Sequence, residues 1–434
     1  MTAYLLERAV VGSAVEDDVL VRIEDGRLTT VEPGGHDPAA TRLAGLTLPG
    51  MANCHSHAFH RALRGHVQVR GDFWSWRELM YAVAGRLDPD SYFALARAVY
   101  REMAAAGITT VGEFHYLHHQ PDGSRYADPN AMGHALIAAA REAGVRIALL
   151  DTCYLSAGFG RPVEGVQVRY TDGTAEAWAE RVALLTAAMG DDDVRVGAAI
   201  HSVRAVPADQ IPTVVEAATG RPLHVHLSEQ PAENDDCLAA YGVTPTRLLD
   251  DHGALGPMTT AVHATHLTDD DVARLGRTRT SACLCPTTER DLGDGIGPGR
   301  RLEDAGAALT LGSDSHAVID PFEEMRALEM DERLATRARG HWRAARLLAA
   351  GTAHASLGFS DAGTIAVGRR ADLVTLDLAT PRTAGTGAGL ETAVFAATAA
   401  DVRHVVADGR VVFRHGDERR IGEELAEAIG RITA

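Results

Sequence analysis

Eight strand-like apolar runs recur along the middle of this chain, at residues 46–57, 107–116, 145–154, 194–203, 222–229, 259–267, 280–286 and 308–316. Helix-like segments, among them 91–106, 131–143 and 175–189, lie between several of them. Strands alternating with helices point to a parallel sheet. Eight such units predict the α/β class, a (β/α)8 TIM-like barrel spanning residues 48–365. Chemistry in that fold sits at the C-terminal ends of the strands. Here those ends carry the polar, metal-capable residues.

The two termini read differently. Residues 10–31 hold short alternating strands with Asp25-Gly26 as a hairpin turn, and 372–377 and 402–413 repeat the pattern around Asp408-Gly409. Residues 1–47 and 366–434 are therefore expected to join in one small β-sandwich domain, with a terminal helix near 421–432. A chain of 434 residues has room for one large domain plus a small one.

Composition excludes several classes. No apolar run reaches the length of a membrane span, and the N-terminus lacks a basic stretch followed by a long apolar core. A net charge of −17 without a basic stripe argues against nucleic acid. Five scattered cysteines fit a reducing, cytoplasmic setting, with Cys283 and Cys285 read as buried structural thiols. All 42 lysine-plus-arginine positions are arginine. Schiff-base lysine chemistry is thereby excluded, as is a dinuclear metal site bridged by a carbamylated lysine.

The sharpest local feature is His55-Ser56-His57 at the end of the first run. Two residues apart on a strand, the two imidazoles project to one face and can grip one ion. Compatible ligands follow at later strand ends, His226 in the fifth and Asp314 in the eighth. Any single one of the 20 histidines is best read as a packed polar residue. Four ligands converging from three strand ends reverse that reading. Three imidazoles and a carboxylate suit one divalent ion, with Zn²⁺ the expected metal, whose water can ionise near neutral pH. Glu229, three residues beyond His226, singles out His226 over His224 and can carry a proton. His263 or His266 of the sixth run can stabilise a developing oxyanion. Their odd spacing puts them on opposite faces, so one should enter the pocket; register alone does not choose.

Together, His55-x-His57, His226-x-x-Glu229, His263 and Asp314 resemble the amidohydrolase superfamily in its mononuclear deaminase branch, over nearly the whole chain. The tail 363–374 matches the return from barrel to small domain. Finer motifs resemble the formimidoylglutamate deiminase family of histidine degradation. They are His55-Ser-His-Ala-Phe59 with Arg61-Ala62, the segment 76–81, the segment 112–119, His201-Ser202-Val203-Arg204-Ala205-Val206, His226-Leu-Ser-Glu-Gln230 and Cys285-Pro286-Thr287-Thr288-Glu289 leading to 292–295. The resemblance implies hydrolysis of N-formimidoyl-L-glutamate to N-formyl-L-glutamate and ammonia. Asp314 then doubles as proton acceptor, Glu229 protonates the imino nitrogen and His263 steadies the oxygen. It also implies that Arg77, Tyr116, His201 and Arg204 bind the substrate's carboxylates. The family usually has glutamine where this chain has His60. That residue is expected above the metal on the substrate side, bonded to a substrate carboxylate or a neighbouring polar group, with capping of the loop backbone as the alternative. If it meets the carboxylate, a protonated imidazole would bind better than a neutral one. The implied partner is a small molecule with carboxylates; a homodimer is left open.

Two other readings compete. One is deamination of a nucleobase or other aminated heterocycle, which calls for more aromatic stacking than a chain with 5% aromatics suggests. The other is a non-catalytic barrel-based binding protein, whose mark would be a lost ligand or a lost Glu229, yet all are present.

Overall fold

The structure, a computed structural model, describes residues 2–66, 73–190 and 192–433, and of residues 73–76 the backbone alone. Strands are numbered in chain order. The first four are β1 (Thr2–Val11), β2 (Ala14–Glu24), β3 (Arg27–Glu32) and β4 (Thr41–Pro49). The next eight are β5 (Met51–Ser56), β6 (Ile108–His115), β7 (Arg146–Cys153), β8 (Val194–Ile200), β9 (Leu223–Leu227), β10 (Thr259–His263), β11 (Ser281–Leu284) and β12 (Leu309–Leu311). The last three are β13 (Leu373–Leu376), β14 (Val402–Ala407) and β15 (Arg410–Arg414).

Strands β5 to β12 pair in sequence order, all parallel. A parallel bridge between Ser56 and Asp314 brings the last strand back to the first and closes the barrel. Strands such as β6, β7 and β9 are buried at every position, as a sheet covered on both faces requires. The termini meet in a second, seven-stranded sheet ordered β15-β14-β13-β4-β1-β2-β3. It has its own apolar cluster, including Leu6, Val19, Ile23, Leu373 and Val406. The expected barrel and a separate mixed sheet built from both termini are therefore present.

The expected first run, 46–57, is two strands. Leu46–Pro49 belong to β4 and pair with β13 in the terminal sheet, while the barrel strand begins at Met51. Gly50 is the crossing point. A Cβ there would fall 2.3 Å from Thr109 Oγ1 and 2.8 Å from Asp372 Cβ. The other runs overran their strands at the C-terminal end, because the chain leaves extended geometry there. Ser228, His263, Ala264, Asp314 and His316 all take positive φ, from 38° to 68°. Non-glycine residues occupy that region at a cost that surrounding structure must offset. It turns His263 and Asp314 toward the barrel mouth.

Helix 131–143 lies where expected. Pro89–Ala105 starts on Asp88, whose side chain accepts from the Ser91 amide at 2.8 Å, with proline pre-set in the first turn. The terminal helix, Glu418–Thr433, buries Ile421, Leu425, Ala428 and Ile432. Arg86 Nη1 donates to the Ile432 carbonyl at 2.8 Å, and Glu424 pairs with Arg101.

A buried ion network joins the base of the barrel to the terminal sheet. Arg146, the first residue of β7, pairs with Asp372 through two nitrogens and lies 2.9 Å from Asp408. It also donates to Thr110 Oγ1 at 2.8 Å. Removing one partner of a buried pair strands the other charge and typically costs about 3–5 kcal/mol. Arg146→Met is expected to lose that much in urea unfolding. Arg97→Met, which removes a surface pair with Glu142, should lose under about 1 kcal/mol. Equal losses would contradict a structural role for the network.

Candidate active site

The barrel mouth opens on a cavity of about 650 Å³, counting its open side. Strand alternation and the turns just described bring ten of the eleven expected site residues to its wall: His57, His60, Arg77, Tyr116, His201, Arg204, His226, Glu229, His263 and Asp314. His55, the eleventh, is fully buried beneath them.

His55, His57, His226 and Asp314 form a buried cluster whose ligand atoms face one another. His55 Nε2 and His57 Nε2 each lie 3.3 Å from Asp314 Oδ1. His226 Nε2 lies 3.1 Å from His55 Nε2. Two of the ring orientations are fixed from outside. The Nδ1–H of His57 donates to the Phe114 carbonyl and that of His226 to the His201 carbonyl, both at 3.0 Å. Their Nε2 atoms therefore present lone pairs to the centre. Lone pairs and a carboxylate oxygen packed together repel unless a cation lies between them. Tetrahedral neighbours of an ion bound at about 2.0–2.1 Å lie roughly 3.3 Å apart, which is the spacing found. The donor set thus fits one divalent ion. Burial, above all, holds His57 down to about 4 and His55 and His226 well below the ordinary imidazole value, so all three stay neutral. Burial works against the Asp314 carboxylate, but His263 and the other imidazoles more than offset it and keep it ionised.

The support beneath this cluster is specific. The amides of Ser313 and Asp314 donate to the His55 carbonyl at 3.1 and 3.0 Å, and Asn53 bonds Ser313 through both its amide atoms. Gly312 is obligatory, since a Cβ there would sit 2.8 Å from His55 Cβ. Glu113 accepts from Ala58 N at 2.7 Å and Ser56 Oγ at 2.8 Å, fixing the turn after His57. Glu113 lies within the segment 112–119, whose sequence gives no sign of this supporting role.

His263 is the sixth-strand histidine that enters the cavity. His266 instead meets the Asp294 carbonyl through Nε2 at 2.8 Å. His224 lies deeper in β9, off the cavity wall. His263 Nε2 is 3.9 Å from Glu229 Oε1 and 3.8 Å from Asp314 Oδ2, and its Nδ1 is 3.4 Å from Glu289 Oε1. Burial disfavours its charge, yet Glu229, Glu289 and Asp314 together push the imidazole well above its ordinary value. Burial likewise pushes Glu229 up.

The far wall is cationic and aromatic. Arg204 donates through Nε to Glu233 at 2.8 Å, and Glu233 is locked by the Ser228 amide at 3.0 Å. Arg77 lies over the Tyr81 ring, 5.4 Å from its centroid. Tyr81, Tyr116, Tyr154 and Tyr170 all line the cavity. Four of the chain's nine tyrosines thus gather at this one cavity. His60 sits in the turn Ala58–Leu63 and meets Tyr116 Oη through Nε2 at 2.9 Å. Burial, and then neighbouring His57, hold its imidazole well below the ordinary value. Of the partners expected for His60, the structure shows the neighbouring polar group, the Tyr116 hydroxyl.

A sequence model of the Amidohydrolase family matches residues 46–412. The chain is 40% identical to the formimidoylglutamate deiminase of Pseudomonas aeruginosa over the full length of both proteins. It is 30% identical to the 8-oxoguanine deaminase of the same organism, over 82% of this chain and 81% of that one. Among solved structures, an amidohydrolase from Brucella melitensis superposes with a TM-score of 0.92 at 31% identity, covering both chains fully. An adenosine deaminase from Xanthomonas campestris with bound zinc reaches 0.86 at 22% identity, over 100% of this chain and 98% of that one, a likeness of fold alone.

Metal titration tests the donor cluster. Zinc added to metal-free protein is expected to bind at one equivalent and, at about a hundred times its Kd, to stabilise the fold by about 2.7 kcal/mol. His226→Ala should abolish that gain. No thermal shift on adding zinc, cobalt or manganese would contradict the reading.

Proposed function

Since the chain belongs to the amidohydrolase family, we propose that it hydrolyses N-formimidoyl-L-glutamate to N-formyl-L-glutamate and ammonia. The observation that carries this reading is the pairing of a buried donor set of three histidines and one aspartate with two arginines lining the same cavity. The full-length relative named for this activity supports it. His55, His57, His226 and Asp314 would hold one divalent ion, zinc the expected one. Such an ion supplies Lewis acidity and a water that ionises near neutral pH.

The residues then divide the work. Arg77 and Arg204 bind the substrate's carboxylates through planar, bidentate-capable guanidiniums, with Tyr116, His201 and His60 beside them. This fixes the formimidoyl carbon over the donor cluster, where orientation itself lowers the barrier. Asp314 accepts the proton that the attacking water gives up. His263 donates to the oxygen as charge develops on it. Glu229 passes a proton to the imino nitrogen, the proton held by Asp314 follows it to complete ammonia, and the hydroxyl proton of the tetrahedral carbon returns to Glu229. The carbon–nitrogen bond to that nitrogen breaks, ammonia leaves, and the formyl oxygen comes from water.

One observation favours a second reading. Four tyrosines on the wall would also suit a flat aminated ring, and nucleobase-acting relatives share about 30% identity. The paired guanidiniums favour the carboxylated substrate.

Ammonia release from N-formimidoyl-L-glutamate and from a nucleobase panel separates the two. The first substrate is expected to be turned over and the panel not. Arg204→Met should lower kcat/KM roughly ten- to a hundredfold, the worth of a charge-assisted hydrogen bond. Turnover of a nucleobase with Arg204→Met unaffected would overturn the proposal.

A further inference from the structure

Gln167 lies just behind the cavity wall, buried, in the short turn Gly165–Arg169. Its amide orientation is not ambiguous. The Glu164 backbone amide, a donor only, reaches Gln167 Oε1 at 3.1 Å. The amino group must therefore point the other way. Nε2 meets Tyr81 Oη at 3.0 Å and Tyr154 Oη at 2.9 Å. An amide nitrogen has two hydrogens and no lone pair to offer, so it donates to both hydroxyls. Each tyrosine oxygen is thus an acceptor toward Gln167, and each hydroxyl hydrogen must be spent elsewhere. Among the described residues neither hydroxyl donates to a protein acceptor. Both tyrosines line the cavity and Gln167 does not.

We infer that Gln167 sets Tyr81 and Tyr154 as a matched pair of hydrogen-bond donors facing a carboxylate of the bound substrate. The inference rests on the proposed carboxylated substrate and names the groups that complete its recognition. Arg77 lies against the Tyr81 ring, so charge and directed donors share one wall. The arginines attract any anion. Two neutral donors at fixed positions add direction, because a hydroxyl bonds a carboxylate along its lone pairs. A site of this kind rejects an analogue lacking the acceptor, since the donors are then left unpaired. Gln167 is a positioning residue; the tyrosines touch the ligand.

The test uses metal-loaded protein and two probes without a scissile group: glutarate, with two carboxylates, and butyrate, with one. Calorimetry is expected to show glutarate bound more tightly than butyrate by wild type. Tyr81→Phe and Tyr154→Phe keep the rings, and each should weaken glutarate roughly tenfold while moving butyrate less than about twofold. Gln167→Glu reverses the polarity, because its carboxylate accepts from both hydroxyls and draws their hydrogens off the cavity. It should weaken glutarate more than either phenylalanine does. Gln167→Met only removes the steering and should fall between Gln167→Glu and wild type. Wild type binding the two probes equally would overturn the inference, as would unchanged glutarate affinity in both phenylalanine variants. So would equal losses for both probes, which mark a merely structural role. Ammonia release from N-formimidoyl-L-glutamate is scored separately, so a failed substrate reading is distinguishable from a failed donor pair.

Discussion

Two backbone amides, those of Ser313 and Asp314, donate to the carbonyl of His55 and so fasten the last barrel strand to the first. The whole site hangs on that seam. β12 is only three residues long, and a side chain at Gly312 could not pass the His55 backbone. With the seam closed, a carboxylate from residue 314 stands 3.3 Å from imidazoles at 55 and 57, more than 250 positions away in sequence. Barrel closure and ligand assembly are therefore one event. A chain that failed to close would leave Asp314 in solvent and three neutral imidazoles without their anion.

Charge is organised on two scales. The molecule as a whole carries −17, which opposes the approach of an anion. At the site two guanidiniums, those of Arg77 and Arg204, stand on the wall, and the deeper Asp314 carboxylate is drawn toward imidazoles. Interactions between exposed charges fade over about a Debye length, near 8 Å at physiological salt, whereas those within a low-dielectric cleft persist. The local field governs binding, and the global charge mainly governs solubility and the rate of encounter.

The sequence exposed the barrel and its ligand set because both follow period-two and strand–helix alternation, which local side-chain chemistry displays directly. His55 and His57 could be paired from spacing alone. What spacing could not display was backbone geometry. The break at Gly50 depends on Thr109 and Asp372, distant residues that crowd it from both sides. The early strand ends at Ser228, His263 and Asp314 depend on left-handed turns that non-glycine residues announce poorly. The choice between His263 and His266 was decided by such a turn rather than by alternation. Glu113 and Gln167 stayed hidden for another reason: they act on neighbours, and nothing in their own flanking residues signals it. The burial of His60 belongs to the tertiary structure and could not be read from its flanking residues.

His201 faces both ways. Its ring lines the cavity, edge-on to Tyr154 and Tyr116, while its carbonyl holds the His226 imidazole in place. Phe114 does the same for His57 with its own carbonyl. Both anchors are main-chain atoms, common to every amino acid. Mutation at 201 can therefore rewrite which molecules fit the cavity without altering the group that orients the His226 imidazole. This separation gives a lineage freedom to explore new substrates one codon at a time while the reactive centre stays intact.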